Sequence, residues 1–253
     1  MPGIVAALHQ VRAGAIARGM TLEDYILFVD GEAIVIDKPA GLPVDAPRAG
    51  GESVEARIQE LSLGFKRPPV PMHRLDRDTS GCLLFARNPR ARAHFQQAFE
   101  RGEVAKTYLA VVDGVVQGED GLIDLPVAKV SSTKGGWRMV VDEGGKEAAT
   151  RWRKIAEADG QSLIEFRPTT GRTHQIRVHA ARGLGAAIVG DPVYSLPDDA
   201  ELGGMTLPDS GMLLHAWRIA VPRDPKEAID VTAPVPDRFG RWLDFLGPAT
   251  LST

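Results

Sequence analysis

Apolar and polar positions along the chain switch between a period near 3.6 and a period of 2, and the switches outline the elements. Ile4, Leu8, Val11 and Ala15 recur at helical spacing, so residues 4–18 are expected to form a short amphipathic helix or arm. Residues 25–29 and 33–36 are β-rich runs separated by Asp30-Gly31-Glu32, which predicts a hairpin. Val54, Ile58 and Leu61 give 54–63 helical spacing. Asn88 and Pro89 read as an N-cap with proline in the first turn, and Gly102 as the stop. Between them Ala91, Phe95, Ala98 and Phe99 make one apolar face, leaving Arg90, Arg92, Gln96 and Arg101 outward. Residues 106–112 form a strand by their β-branched and aromatic content, and 149–155 with 163–166 an antiparallel pair. Residues 113–147 are rich in Gly, Ser, Lys and Asp, and 131–138 within them read as an exposed loop, as do 196–210. Phe239, Trp242 and Phe245 at helical spacing predict a closing helix over 234–246.

A chain of 253 residues can bury a full core as one large domain or two small ones intimately packed. Its single cysteine excludes an internal disulfide and a cysteine-built zinc site, and Cys82 lies in an apolar run where it should be buried and inert. No run of 18 or so apolar residues is present, so no membrane-spanning helix is expected. The apolar stretch 4–8 is too short for a signal-peptide core and is followed by His9, Gln10 and Arg12, so a cytoplasmic protein is expected. The net charge of −3 conceals a strong asymmetry. From Lys66 to Lys106 nine Lys or Arg face four acids, and the rest of the chain is correspondingly acidic. Such a basic concentration suits a polyanion such as the phosphate backbone of RNA.

Within that basic region runs His73-Arg74-Leu75-Asp76-Arg77-Asp78-Thr79-Ser80-Gly81, with Cys82-Leu83-Leu84-Phe85-Ala86 directly behind it. An aspartate between two arginines, followed by a turn and a short apolar run, describes a carboxylate on a loop anchored by a strand. It equally describes an ordinary turn entering a buried strand. Two further strings narrow the choice. Lys106-x-Tyr108 opens the 106–112 strand, and Gly171-Arg172-Thr173-His174-Gln175-Ile176-Arg177-Val178-His179 carries more cationic and hydrogen-bonding side chains than a core strand needs. His174 and His179 have no carboxylate at metal-site spacing and are read as core or hydrogen-bonding histidines. Gly183-x-Gly185 lacks the third glycine of a dinucleotide loop, which argues against nucleotide binding. Near Trp137, Lys129, Lys134 and Arg138 suit RNA contact by charge and stacking, although a tryptophan that merely pins a loop reads the same way.

Together these strings resemble the RluA-like pseudouridine synthases, in the order and without gaps expected of that family. Lys38-Pro39-Ala40-Gly41-Leu42, Ile188-Val189-Gly190-Asp191-Pro192-Val193-Tyr194 and Leu214-His215-Ala216 are similar to further stretches of it. The resemblance implies an α+β fold with a mixed, largely antiparallel central sheet flanked by helices and loops, and an active site in a cleft across that sheet. It implies Asp76 as the catalytic carboxylate, Arg177 as its pairing arginine and Tyr108 as the ring that packs on the target base. His73, Arg74, Arg77, Thr79, Arg172, His174 and Leu214 are the expected substrate contacts, with Arg172 in the approach loop and Leu214 lining the uracil pocket. Lys38 is the one side chain of its proline-rich loop placed to reach phosphate, and the 188–194 segment is expected to be structural. RNA, ribosomal or transfer, is the implied partner, with no metal and no cofactor, and the chain is expected to act as a monomer.

About 20 residues precede the first strand signal, too few for the S4-type RNA-binding domain that many family members carry. The expected organisation is therefore an arm over 1–20 and one catalytic domain over 21–253, which itself recognises the substrate. Two other readings compete. A non-catalytic RNA-binding or ribosome-assembly protein would be marked by a lost Asp76, Tyr108 or Arg177, and none is lost. A glycosidase or nucleosidase using Asp76 needs a second acid, for which Asp78 is the nearby candidate.

Overall fold

A computed structural model describes residues 19–47, 50–132, 136–195 and 211–247. The expected hairpin is formed by β1 (Ile26–Val29) and β2 (Ala33–Lys38), paired antiparallel. Its turn is stabilised by Asp30, whose Oδ1 accepts the Glu32 and Ala33 amides at 2.8 Å each. After a 3-10 turn at Ile58–Leu61, a two-residue strand β3 (Val70–Pro71) precedes β4 (Ser80–Ala86). Helix α1 (Pro89–Glu100) begins where the sequence indicates, with Asn88 Oδ1 accepting the Ala91 amide at 2.9 Å. Strands β5 (Ala105–Val112) and β6 (Asp120–Asp124) follow, then β7 (Val127–Ser132), β8 (Gly136–Val141), β9 (Ala149–Ala158) and β10 (Gln161–Pro168). A single turn of helix, α2 (Gln175–Val178), continues into a wider turn at His179–Gly183. Strands β11 (Leu214–Arg223) and β12 (Lys226–Thr232) complete the set before a C-terminal 3-10 segment, Asp237–Phe245.

Ten strands make one mixed sheet in the order β1-β2-β4-β11-β5-β10-β9-β6, with β12 beside β11 and β3 beside β4. All the pairings are antiparallel except β4 with β11. The central strands are apolar at successive positions because both faces of the sheet are covered. In β2 and β4, Val35, Cys82 and Leu84 pack with Phe95 of α1 on one face. Ile34, Ile36, Leu83 and Phe85 pack with Leu22, Val54 and Leu61 on the other. The same division recurs in β5, where Ala110 and Val112 meet Ile176 and Ala180, and Leu109 and Val111 meet Phe239 and Trp242. Burial also raises the Cys82 thiol to about 12, leaving it inert as expected.

Three expectations are corrected. The stretch 131–138 is not simply a loop: its residues 131–132 and 136–138 belong to the paired strands β7 and β8, in which Ser131 faces Trp137. The turn-like composition masked an alternation that buries Val127 and Met139 on the ribbon's inner side. Residues 54–63 form only turns and a short 3-10 segment in place of a regular helix. The closing segment is 3-10 and broken at Gly240 (φ 52°, ψ −127°), so Phe239 and Trp242 are buried while Phe245 is exposed. The N-terminal helix and the 196–210 loop lie outside the described residues.

At the junction between β4 and β11, Gly81 adopts φ 110°, and a Cβ there would overlap the Ala216 carbonyl. No L-residue fits both constraints. Gly81→Ala should therefore lower stability by about 2–5 kcal/mol, from steric overlap and left-handed strain together. The midpoint of urea unfolding checks this, and an unchanged midpoint would mean that the strand junction is loose.

Candidate active site

Asp76 sits at the head of a turn between β3 and β4, closed by the Thr79 amide donating to the Asp76 carbonyl at 3.1 Å. The turn is tied down from below. Lys38 is fully buried, and its Nζ donates to the carbonyls of Pro39 and Leu42 at 2.8 Å and of Arg77 at 3.1 Å. With its three donors directed to carbonyls, Lys38 does not reach phosphate, contrary to the sequence expectation; it locks the proline-rich loop to the Asp76 turn. Burial pushes its ammonium down to about 7, against the opposing pull of Asp78 and Asp76. His73 is likewise a tether. Its Nε2 accepts the Leu84 amide at 3.1 Å and its ring lies 5.4 Å from that of Phe99, and burial holds its pKa near 3.

Arg177 arrives from α2. Its Nη1 donates to Asp76 Oδ2 at 3.0 Å, while Nε and Nη2 grip Asp191 at 2.7 and 2.8 Å. One planar guanidinium thus spans two carboxylates, a geometry lysine cannot reproduce. Burial alone would lower the arginine's pKa, but its bonds to Asp191 and Asp76 outweigh that and raise it above the ordinary value. Asp191 shows the converse. Burial raises its pKa, yet Arg177 and the amides of Val193 and Tyr194 overcome this and hold it below the usual carboxyl range. In the sequence Asp191 and Tyr194 belong to a stretch expected to be structural. Their spacing around one turn was the available signal, and only the fold shows that the turn opens onto Arg177.

His174 has a left-handed backbone, φ 52°, rare for a residue with a side chain. Its Nδ1 lies 2.8 Å from Tyr194 Oη and its Nε2 3.8 Å from Asp76 Oδ2. Burial lowers its pKa to about 4, with Asp76 and Arg177 acting in opposite directions, so the ring is neutral near pH 7. A neutral ring facing a carboxylate carries its hydrogen on Nε2, which leaves Nδ1 to accept from Tyr194. Below it, Gln175 is a buried hub. Its Oε1 accepts from Thr170 Oγ1 and the Arg172 amide, and its Nε2 donates to Ala149 O and Thr150 Oγ1. These bonds hold the 169–174 loop on the end of β9.

Asp76, Arg177, His174, Tyr108 and Leu214 line one cleft of about 900 Å³. Tyr108 on β5 and Leu214 on β11 supply apolar surface below the carboxylate. Burial, with the charge of Asp76, raises the Tyr108 hydroxyl above its ordinary pKa, so it stays protonated. Arg172 is exposed in the cleft and donates Nε to the Glu147 carbonyl at 2.9 Å. Arg74 pairs with Asp45 at 2.6 Å and Arg77 with its neighbour Asp78 at 3.1 Å, both arginines largely in solvent. Thr79 is buried behind the turn. Lys106 and Lys129 bring the cations lining the cleft to six, against two acids, Asp45 and Asp76. A carboxylate clamped in a cleft lined mostly by cations makes this the candidate active site.

The comparisons with known proteins name the class. The family model described as RNA pseudouridylate synthase matches residues 32–182. An uncharacterised RNA pseudouridine synthase of Zymomonas mobilis is 50% identical over 214 residues, 85% of this chain and 94% of its own length. Ribosomal large subunit pseudouridine synthase D of the same organism is 37% identical over 177 residues, covering 67% of this chain and 55% of its own. The solved structure of human RNA pseudouridylate synthase domain containing 4 superposes with a TM-score of 0.71 at 25% identity, over 89% of this chain and 94% of that one. The chain belongs to the RNA pseudouridylate synthase family, whose members are isomerases.

The Arg177–Asp191 pair is almost wholly excluded from solvent, at 7% and 0% side-chain exposure. Asp191→Asn should cost about 3–5 kcal/mol, because it leaves the buried guanidinium with half its compensation. The lowered Asp191 pKa means that its contribution is fully present above the ordinary value of 3.8 and fades as pH falls through the lower folded value. Denaturation curves should therefore show wild type and variant converging below about pH 4. A gap that persists into strong acid would sink the ion-pair account.

Proposed function

We propose that this protein converts uridine to pseudouridine at defined positions of ribosomal or transfer RNA, with Asp76 as the reacting carboxylate. One observation carries the assignment: Arg177 holds Asp76 at 3.0 Å while anchored to Asp191, at the floor of a cleft rimmed by cations. The reaction breaks the bond between N1 and C1′, turns the uracil and joins C5 to C1′. Asp76 acts on the target nucleotide at C1′, at C6 of the base or at the 2′ proton, all of which lie within reach of one extruded nucleotide.

A uridine inside folded RNA reaches Asp76 only when flipped out of its stack. Tyr108 and Leu214 then enclose the uracil, the phenol ring by stacking and the leucine by apolar contact. Because the Tyr108 hydroxyl is protonated, any part it takes in removing the C5 proton requires it to pass its own proton onward. His174, neutral and with Nε2 3.8 Å from the carboxylate, faces it without adding a charge. Arg172 and Lys106 face the phosphates of the entering strand. Of the remaining candidates, His73 and Thr79 serve by fixing the turn, and Arg74 and Arg77 by their charge at its rim.

The RNA target is the finer part of the proposal. In Zymomonas mobilis a ribosomal synthase D and a second, more similar protein coexist, which supports a target separate from that of synthase D. A carbodiimide map of total RNA from cells with and without the gene names the site. Asp76→Asn should restore no lost stop while still binding the RNA, and a restored stop would remove Asp76 from its role. Tyr108→Phe should keep RNA affinity within about threefold if the ring works by stacking, since a stacking contribution of about 1–3 kcal/mol is retained. Single-turnover rates then show whether the hydroxyl is needed; Arg177→Lys should fall by about 100-fold through misplacement of the carboxylate.

A further inference from the structure

The β7–β8 hairpin presents a side chain that the reaction above leaves without a task. Trp137 is 42% exposed on the cleft wall, while Met139, two residues along the same face of β8, is buried. The indole centroid lies 5.0 Å from the His174 ring at an interplanar angle of 32°, and Lys129 Nζ lies 4.6 Å from the indole centroid. His174 Nε2 is in turn 3.8 Å from Asp76 Oδ2. The indole is therefore one ring beyond the carboxylate, and His174 stands between them.

A base that reaches Asp76 lies on the Tyr108 and Leu214 side, so it cannot be the base that meets Trp137. The next nucleotide of the same strand can. Every base has a face to stack on an indole, and stacking of this kind tolerates any sequence. The His174 ring is fixed by its bond to Tyr194 and stiffens the indole from one side. Lys129 is an exposed ammonium on a flexible stem, which an incoming base can displace onto the adjoining phosphate.

We infer that Trp137 is the stacking platform for the nucleotide next to the target uridine, with Lys129 holding the phosphate between the two. The inference rests on the isomerase reading of the same cleft. It makes Trp137 a substrate-positioning residue, acting on KM more than on kcat.

Synthetic RNA carrying the mapped uridine, and copies made abasic on its 5′ or its 3′ side, test it with wild type, Trp137→Ala and Trp137→Phe. On intact RNA, Trp137→Ala should raise KM roughly 5- to 150-fold with kcat within about twofold, and Trp137→Phe should recover most of the loss. On one of the two abasic RNAs wild type and Trp137→Ala should have equal KM. A variant that loses the same activity on all three RNAs, or falls in kcat alone, would show that Trp137 merely supports His174 and would overturn the inference. An unchanged KM would overturn it too. Failure of wild type to convert the intact RNA would strike the isomerase reading; RNA quenching of indole emission that is present in wild type and lost in Trp137→Phe would still mark Trp137 as a base contact, and no quenching in wild type would refute that contact.

Discussion

A guanidinium buried between two carboxylates is stable only if its charge is matched and its donors are used, and that requirement organises the centre of this molecule. Asp191 supplies two of the three side-chain acceptors of Arg177, so the arginine is already positioned before Asp76 is considered. Asp76 receives the remaining arm at 3.0 Å. The carboxylate proposed to react is thus oriented by a neighbour that is itself held by two further bonds, which is the arrangement preorganised catalysis needs. Because two carboxylates share one guanidinium, the trio carries net negative charge, and the neutral His174 beside it leaves that charge uncancelled.

That geometry depends on loops that do not drift. The sheet is covered on both faces, so the ends of β4, β5 and β10 are rigid supports for the segments that leave them. Each loop then has a polar hub that satisfies its backbone internally: Lys38 under the Asp76 turn and Gln175 under the 169–174 loop. A buried lysine with three carbonyl acceptors costs desolvation but removes three unsatisfied groups, and the exchange leaves the loop in one conformation. The same economy explains why His73, at the start of the motif, faces inward to a strand amide.

Charge is distributed by place as well as by sum. A chain of net charge −3 lines its cleft with six cations and two acids, so the local balance of charge there is opposite to the sum over the chain. The ring groups deeper in the cleft, His174 and Tyr108, are kept uncharged by burial. In the proposed reaction the rim attracts phosphate, and the floor offers a base an apolar and neutral surface beside one anion.

Much of this was legible in the chain. Contiguous strings carried Asp76, Tyr108 and Arg177, and local patterning placed the β1–β2 hairpin, the Asn88 cap of α1 and the β9–β10 pair, because turns, caps and alternation are properties of neighbouring residues. The β7–β8 hairpin was hidden by its Gly, Ser and Lys content, and the break at Gly240 by a helical spacing that 3-10 geometry satisfies only in part. The meeting of Asp76 and Arg177 across 101 residues follows from strand order, which no local pattern encodes. So does the work of Lys38, Asp191 and Trp137. A lysine, an aspartate or a tryptophan has many possible partners, and the pairing of β4 with β11, the turn after Gly190 and the placement of the hairpin beside α2 determine which one it meets.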